Sequence, residues 1–115
     1  MLSLYRCELE FDSDDLYCEV TAYAVAETSR DAINAVDWDD ECSNSGLIGH
    51  EYEFLTPHTI AFKVTKQDER LIRVILDYVN GDEGWGPDTL VWGAKGVLTL
   101  REAIGKYVMG EGGRA

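Results

Sequence analysis

The chain has 115 residues, enough for one domain, and carries 22 acidic against 10 basic side chains, a formal net charge of −12. Apolar residues make up 45% of it, which excludes a disordered acidic tail. Its short apolar stretches predict neither a membrane span nor a signal peptide. Because nucleic acids and anionic membranes are polyanions, this charge also argues against direct binding to either. We therefore expect a soluble, cytoplasmic protein whose partner has a basic surface.

The first two predicted elements are strands joined by a short turn. Residues 4–11 and 16–26 alternate apolar and polar side chains with the period of a half-buried sheet, and Asp12-Ser13 is a polar turn pair. We expect the two strands to pair so that the numbers of facing residues sum to 25, which places Cys7 opposite Cys18. We expect both thiols to be reduced in the cytosol.

Three predicted helices begin with one capping signal. A threonine followed three residues later by a carboxylate occurs at Thr28, Thr65 and Thr99, and Thr99 with Glu102 matches a full capping box. The first helix is predicted to reach about residue 38. The second has an apolar arc of about 200° and is expected to be the core helix, ending at Asn80-Gly81.

The remaining pattern completes a mixed fold. Residues 51–55 and 59–65 are predicted strands of a hairpin that turns at residues 56–58, and 89–92 is a short strand before the last helix. The order ββαββαβα predicts a single α+β domain. We expect an antiparallel sheet of four to five strands with about three helices packed mainly on one face. Residues 110–115 are predicted to be a frayed C-terminal tail.

Carboxylates cluster around two tryptophans. Trp38 is surrounded by acids after the first helix, and Trp85 follows acids in a glycine-rich loop. A large aromatic with charges at its rim is typical of an interface anchor. The predicted partner-binding residues are Asp37, Trp38, Asp39, Asp40, Glu41, Asp82, Glu83 and Trp85. The alternative is that the acids are merely solvated and that each indole folds back onto the core.

Signatures of metal sites and catalysis are weak. The alternating acids of residues 37–41 begin like a calcium loop, but Cys42 stands where the turn needs Gly and Ile48 where the bidentate Glu belongs. Cys42 and His50 do not have zinc spacing, and as a nucleophile–base pair they come with no sign of an oxyanion hole. We therefore predict a protein that is not an enzyme and uses no metal or cofactor.

Two segments carry a resemblance to a known class of proteins. The clusters Asp37-Trp38-Asp39-Asp40-Glu41 and Gly81-Asp82-Glu83-Gly84-Trp85, on a short acidic chain without catalytic signatures, resemble the small inhibitors of phages and mobile elements, in particular the anti-CRISPR proteins. The resemblance implies stoichiometric blocking of a CRISPR–Cas effector in the bacterial host cell. The blocked surface would be the DNA-binding face of the surveillance complex or the recruited nuclease. These inhibitors share no common fold, so the resemblance assigns no residue a role by position.

Other functional classes remain open at this point. An immunity or antitoxin-like protein that neutralises a cognate toxin would need the same acidic surface. A small enzyme would use Cys42 with His50, and a scaffolding domain would use its acidity for solubility alone. The oligomeric state is also open.

Overall fold

The computed structural model describes residues 1–12, 17–38, 40–41, 56–77, 86–93 and 97–110. They form a small α+β domain with a three-stranded antiparallel sheet and three helices. The elements are β1 Ser3–Asp12, β2 Tyr17–Ala26, α1 Ser29–Ala35, β3 Thr56–Lys63, α2 Glu69–Asp77 and α3 Leu100–Ala103, which continues into a π-helical turn, Ile104–Val108. Among the described helices, none has the length and apolarity needed to cross a membrane.

Strand β1 lies in the middle of the sheet, between β2 and β3. Both predicted strands of the first hairpin are confirmed, but the predicted register is wrong, because paired residue numbers sum to 29 and Cys7 lies opposite Ala22 rather than Cys18. The reason is that β1 continues through Asp12, which pairs with Tyr17, so Asp12 is not part of a turn. The four-residue shift is even, and each side chain therefore stays on its predicted face of the sheet.

Two of the three described helices and the π-helical turn pack on one face of the sheet, and the third packs on the other. One face, which we call the helix face, carries Leu4, Tyr23 and Val25 and packs against α2, α3 and the π-helical turn. The opposite face packs against α1 and is made mostly of small side chains. We call it the alanine face; its sheet residues are Tyr5, Cys7, Ala22, Ala24, Ala26 and Ala61. Leu4 and Tyr5 are consecutive in β1 and point to opposite faces of the sheet, and both are buried. A strand that is buried on both faces must have other elements packed against each face.

The predicted hairpin turn at residues 56–58 is also wrong, since these residues are the start of β3. Proline usually marks a turn, but it also fits an edge strand where its missing N–H would point away from the sheet. The Val64 N–H donates to the Leu4 carbonyl at 2.9 Å, and in an antiparallel ladder such bonds recur at every second residue. Even-numbered residues of β3 therefore bond to β1, and the backbone nitrogen of Pro57 points away from β1. The predicted strand at residues 51–55 lies outside the described residues.

Helix caps follow the sequence in two cases out of three. The Thr28 side chain accepts from the Asp31 N–H, and Thr99 with Glu102 forms the complete capping box. At the second helix the prediction is wrong, because the Thr65 N–H donates to the Asp68 carboxylate at 2.7 Å and α2 begins after Asp68. The Asp68 carboxylate thus accepts from the N–H and hydroxyl of Thr65, which precedes the helix.

Helix ends and the last strand differ from expectation as well. Helix α1 stops at Ala35, short of residue 38, because Val36 is extended (φ −80°, ψ 131°). The predicted end of the second helix at Asn80-Gly81 lies outside the described residues. Residues 89–92 are not a strand but make two isolated bridges, Leu90 with Thr99 and Trp92 with Ala24. The second bridge attaches Trp92 to the outer edge of β2.

Gly93 permits this attachment. It has φ +77°, and a Cβ atom there would lie 2.6 Å from the Val25 carbonyl oxygen and 3.2 Å from the Ala35 Cβ. Only a residue without a side chain lets the segment after Trp92 approach β2 and α1 this closely.

Replacing Gly93 with Ala should destabilise the fold by about 3 kcal/mol, because left-handed strain and a steric clash add. Gly110→Ala is the matched control: Gly110 has φ +76° but no atom within 4 Å of the added Cβ. We expect it to cost only about 1 kcal/mol. Urea unfolding of both variants measures the difference, and equal losses would contradict the close approach at Gly93.

Candidate functional site

Four of the eight predicted contact residues lie in the described part of the chain. Asp37, Trp38, Asp40 and Glu41 follow α1 directly. The other four, Asp39, Asp82, Glu83 and Trp85, lie outside the described residues. The first cluster alone defines the candidate site, which we call the acidic segment, Asp37–Glu41.

Asp37 starts a helical turn with its side chain. The Asp40 N–H donates to Asp37 Oδ1 at 3.2 Å, and the Glu41 N–H donates to the Asp37 carbonyl oxygen at 3.1 Å. This is the geometry of an N-cap, in which a side-chain oxygen satisfies a backbone donor at the start of a helix. Asp37 and Asp40 are nevertheless exposed, so their charges remain open to solvent.

Trp38 packs back toward the domain. Its partly buried ring contacts the cluster on the alanine face, and its indole N–H donates to the Ile33 carbonyl at 3.1 Å. That carbonyl belongs to the last turn of α1 and also accepts from the Val36 N–H at 3.4 Å. Trp38 thus fixes the acidic segment to the end of α1 and keeps part of its ring accessible.

Glu41 reaches across the fold to Trp92. The Trp92 indole N–H donates to Glu41 Oε1 at 2.7 Å, a contact between residues 51 positions apart. Trp92 is itself held on β2, because its N–H donates to the Tyr23 carbonyl and its carbonyl accepts from the Val25 N–H, both at 2.9 Å. One carboxylate therefore ties the acidic segment to the edge of the sheet.

The environment of Glu41 opposes its charge. Burial raises the pKa of Glu41 above its usual 4.5, the negative charges of Asp40 and Asp37 raise it further, and the hydrogen bond from Trp92 acts in the opposite direction. Asp37, Asp40 and Glu41 thus concentrate negative charge at one end of α1.

The net charge of the protein is confined to the first half of the sequence. Residues 1–62 contain 14 acidic and 2 basic side chains, a net charge of −12, whereas residues 63–115 contain 8 of each. The described carboxylates that are exposed in the first half lie in or near α1: Glu27, Asp31, Asp37 and Asp40. Counting charge over the whole chain misses this division, which a running count along the sequence would have found.

The solvent side of α2 shows the contrast. Its exposed charges are two acidic and two basic residues: Glu69, Arg70, Arg73 and Asp77. Arg73 lies four residues from both Glu69 and Asp77, and opposite charges at this spacing on a helix balance one another locally. Among the described residues, exposed acids therefore outnumber exposed bases in and around α1, whereas the exposed charges of α2 sum to zero.

The described residues do not assemble a metal or nucleophilic site. In the described ranges no three His, Cys, Asp or Glu side chains converge on a position that could hold a metal ion. Cys7 is fully buried, and burial raises the pKa of its thiol to about 12, so the reactive thiolate is scarce at neutral pH. The predicted pair Cys42 and His50 lies outside the described residues.

Comparison of the chain with protein-family models, curated proteins and solved structures found no match. The function must therefore be inferred from the chemistry of the surface. Exposed carboxylates over a rigid helix end can attract and orient a cationic surface.

Substituting Glu41 with Gln should stabilise the fold at pH 7, by up to about 1 kcal/mol for a half-exposed group. Gln is neutral and keeps the oxygen that accepts from Trp92. A carboxyl whose pKa is raised by folding stabilises the fold fully below pH 4.5, and this contribution is lost as the pH rises through the folded-state pKa. The gain from the substitution should accordingly shrink toward pH 4, as measured by urea unfolding at both pH values.

Glu102 provides a control of opposite sign. Hydrogen bonds from the Thr99 backbone, and then from its side chain, lower the pKa of Glu102, so its charged form favours folding above its unfolded pKa. Glu102→Gln should lower stability at pH 7 and change it little in acid. Destabilisation of the Glu41→Gln variant at pH 7 would show that the Glu41 charge supports the fold, contrary to this interpretation.

Proposed function

We propose that the chain is a non-catalytic binding protein of the anti-CRISPR type. It presents its acidic half, residues 1–62, to the basic surface of a CRISPR–Cas effector. Binding would block either target-DNA binding by the surveillance complex or recruitment of its nuclease. The observation that supports this proposal is the confinement of the −12 charge to residues 1–62, with the described exposed carboxylates of that half in and around α1.

A surface that binds DNA is rich in Lys and Arg, since it neutralises phosphates. A protein that occupies such a surface must present anions of comparable density, and carboxylates held on rigid elements lose little entropy on binding. Asp37 and Asp40 fulfil this condition, because their segment is fixed through Trp38 to α1 and through Glu41 to Trp92.

The residues of the proposed site have two different roles. Asp37 and Asp40, with Asp39 beside them in the sequence, supply charge to the partner. Glu41 acts on their position through Trp92 and is a positioning residue rather than a direct contact. The second predicted cluster, Asp82, Glu83 and Trp85, completes the proposed contact set.

Reversing the charge of Asp39 and Asp40 together, as Asp39→Lys and Asp40→Lys, should weaken binding to the partner at least about tenfold. Glu41 stays unchanged, so that its bond to Trp92 is kept. The matched control is Glu69→Lys with Asp77→Lys, which changes the net charge by the same amount on the exposed side of α2. We expect the control to bind close to the level of the unmodified chain.

The measurement begins with capture of partners on the immobilised chain from a bacterial lysate that contains an active CRISPR–Cas system, at low and at high salt. An electrostatic complex should form at low salt and dissociate at high salt. The captured effector is then tested for target-DNA binding and cleavage with each variant. Equal inhibition by the Asp39→Lys/Asp40→Lys variant and its control would contradict the proposed contact surface. Capture of a toxin instead of an effector would indicate an immunity or antitoxin-like protein.

A further inference from the structure

The outer edge of β3 has backbone groups that do not pair with the rest of the described sheet. Within the described ranges β3 pairs only with β1. Since even-numbered residues bond to β1, the N–H and C=O groups of Thr59, Ala61 and Lys63 point outward. Such an edge is a template for another strand.

Side chains of β3 add an apolar surface beside this edge. Ile60 is 44% exposed and Phe62 is 52% exposed. They are two residues apart, so both lie on the helix face of the sheet, beyond the part that the helices cover. A strand added to this edge would bury them.

The charge of β3 favours a second copy of the same chain as that strand. Two molecules of charge −12 repel each other wherever carboxylates meet. Strand β1 contains three acidic residues and β2 contains Glu19, but β3 contains no carboxylate and a single Lys63. It is the strand of the described sheet through which two copies can meet without opposing like charges.

We propose that two copies of the chain associate by antiparallel pairing of their β3 strands about a two-fold axis at Ala61. In this register Ala61 lies opposite Ala61 of the second copy, and Thr59 lies opposite its Lys63. These are the outward-facing residues, so each such pair exchanges two backbone hydrogen bonds. The two sheets join into one of six strands.

The same register places the exposed apolar side chains together. Ile60 lies opposite Phe62 of the second copy, and the symmetry repeats this contact once. These are non-hydrogen-bonded pairs, in which side chains approach most closely, and an aromatic beside a β-branched residue is a favourable cross-strand pair. Pro57, which has no N–H to offer, falls outside the paired residues 59–63 and limits the length of the contact.

Salt separates this contact from the proposed binding to an effector. Self-association brings two negative molecules together, so screening by salt should strengthen it. Binding to a basic partner should weaken under the same change. Failure of one proposal therefore leaves the other testable.

The first experiment measures the mass of the full chain by sedimentation equilibrium over a range of concentrations at about 0.05 and 0.5 M NaCl. We expect a dimer whose dissociation constant falls as salt rises. The variant Ile60→Thr with Phe62→Thr keeps residues that favour strands and should raise the dissociation constant about tenfold or more. The matched control, Val74→Thr with Leu76→Thr, changes apolar side chains of α2 that are 52% and 38% exposed and should leave the dimer intact.

The second experiment follows amide hydrogen exchange in β3 by NMR. In the proposed dimer the amides of Thr59, Ala61 and Lys63 are protected, and their protection falls on dilution, whereas those of Ile60 and Phe62 are protected at every concentration through β1. A chain that stays monomeric at millimolar concentration and high salt overturns the proposal. So does protection of Thr59, Ala61 and Lys63 that does not change on dilution, since another part of the same chain would then cover the edge.

Discussion

Strand β1 is paired along both sides and buried on both faces toward its start, and this double burial constrains the rest of the fold. Leu4 and Cys7 are completely buried on opposite faces of the sheet. Arg6 lies between them, and its guanidinium is compensated by Glu8, with Nε to Oε2 at 3.0 Å, and by the ring of Tyr23, 5.6 Å from its centroid. A half-buried cation needs such partners, because burial alone disfavours its charge.

Two cores of different character follow from this position of β1. The helix face packs large side chains such as Tyr23, Ile75 and Leu100, whereas the alanine face is lined by small ones. Small side chains let α1 lie close to the sheet. The acidic segment begins at Asp37, two residues after the last residue of α1. It is held there by the hydrogen bond from Trp38 to Ile33 and by the hydrogen bond from Trp92 to Glu41. The exposed charges thus rest on a rigid base without being part of the core.

Local patterns in the sequence were enough to predict the strands of the first hairpin and the caps at Thr28 and Thr99, because alternation and capping act over two to four residues. The pairing register of β1 and β2 was predicted wrongly. A shift by an even number of residues leaves every side chain on the same face, so the alternation of apolar and polar residues does not distinguish the two registers, and only the extension of β1 through Asp12 decides between them. Pro57 was misjudged because its usual meaning is a turn and its role at a strand edge depends on which way the ladder bonds point.

Long-range contacts account for most of what the sequence did not reveal at the candidate site. The bond between Glu41 and Trp92 joins residues 51 positions apart, and neither residue carries a local signal of the other. Trp38 was predicted as an interface anchor from its acidic neighbours, yet its indole N–H donates to the Ile33 carbonyl oxygen within the domain. The division of charge at about residue 62, by contrast, is present in the sequence itself.

The central claim is that the acidic half of the chain contacts the partner. Carbodiimide labelling of carboxylates, with and without the captured partner and read by mass spectrometry, tests it most directly. The account predicts that binding protects Asp37, Asp39 and Asp40 from labelling, while Glu69, Asp77 and Glu102 react as in the free chain. Protection of Glu69 and Asp77, with residues 37–40 still fully reactive, would contradict it.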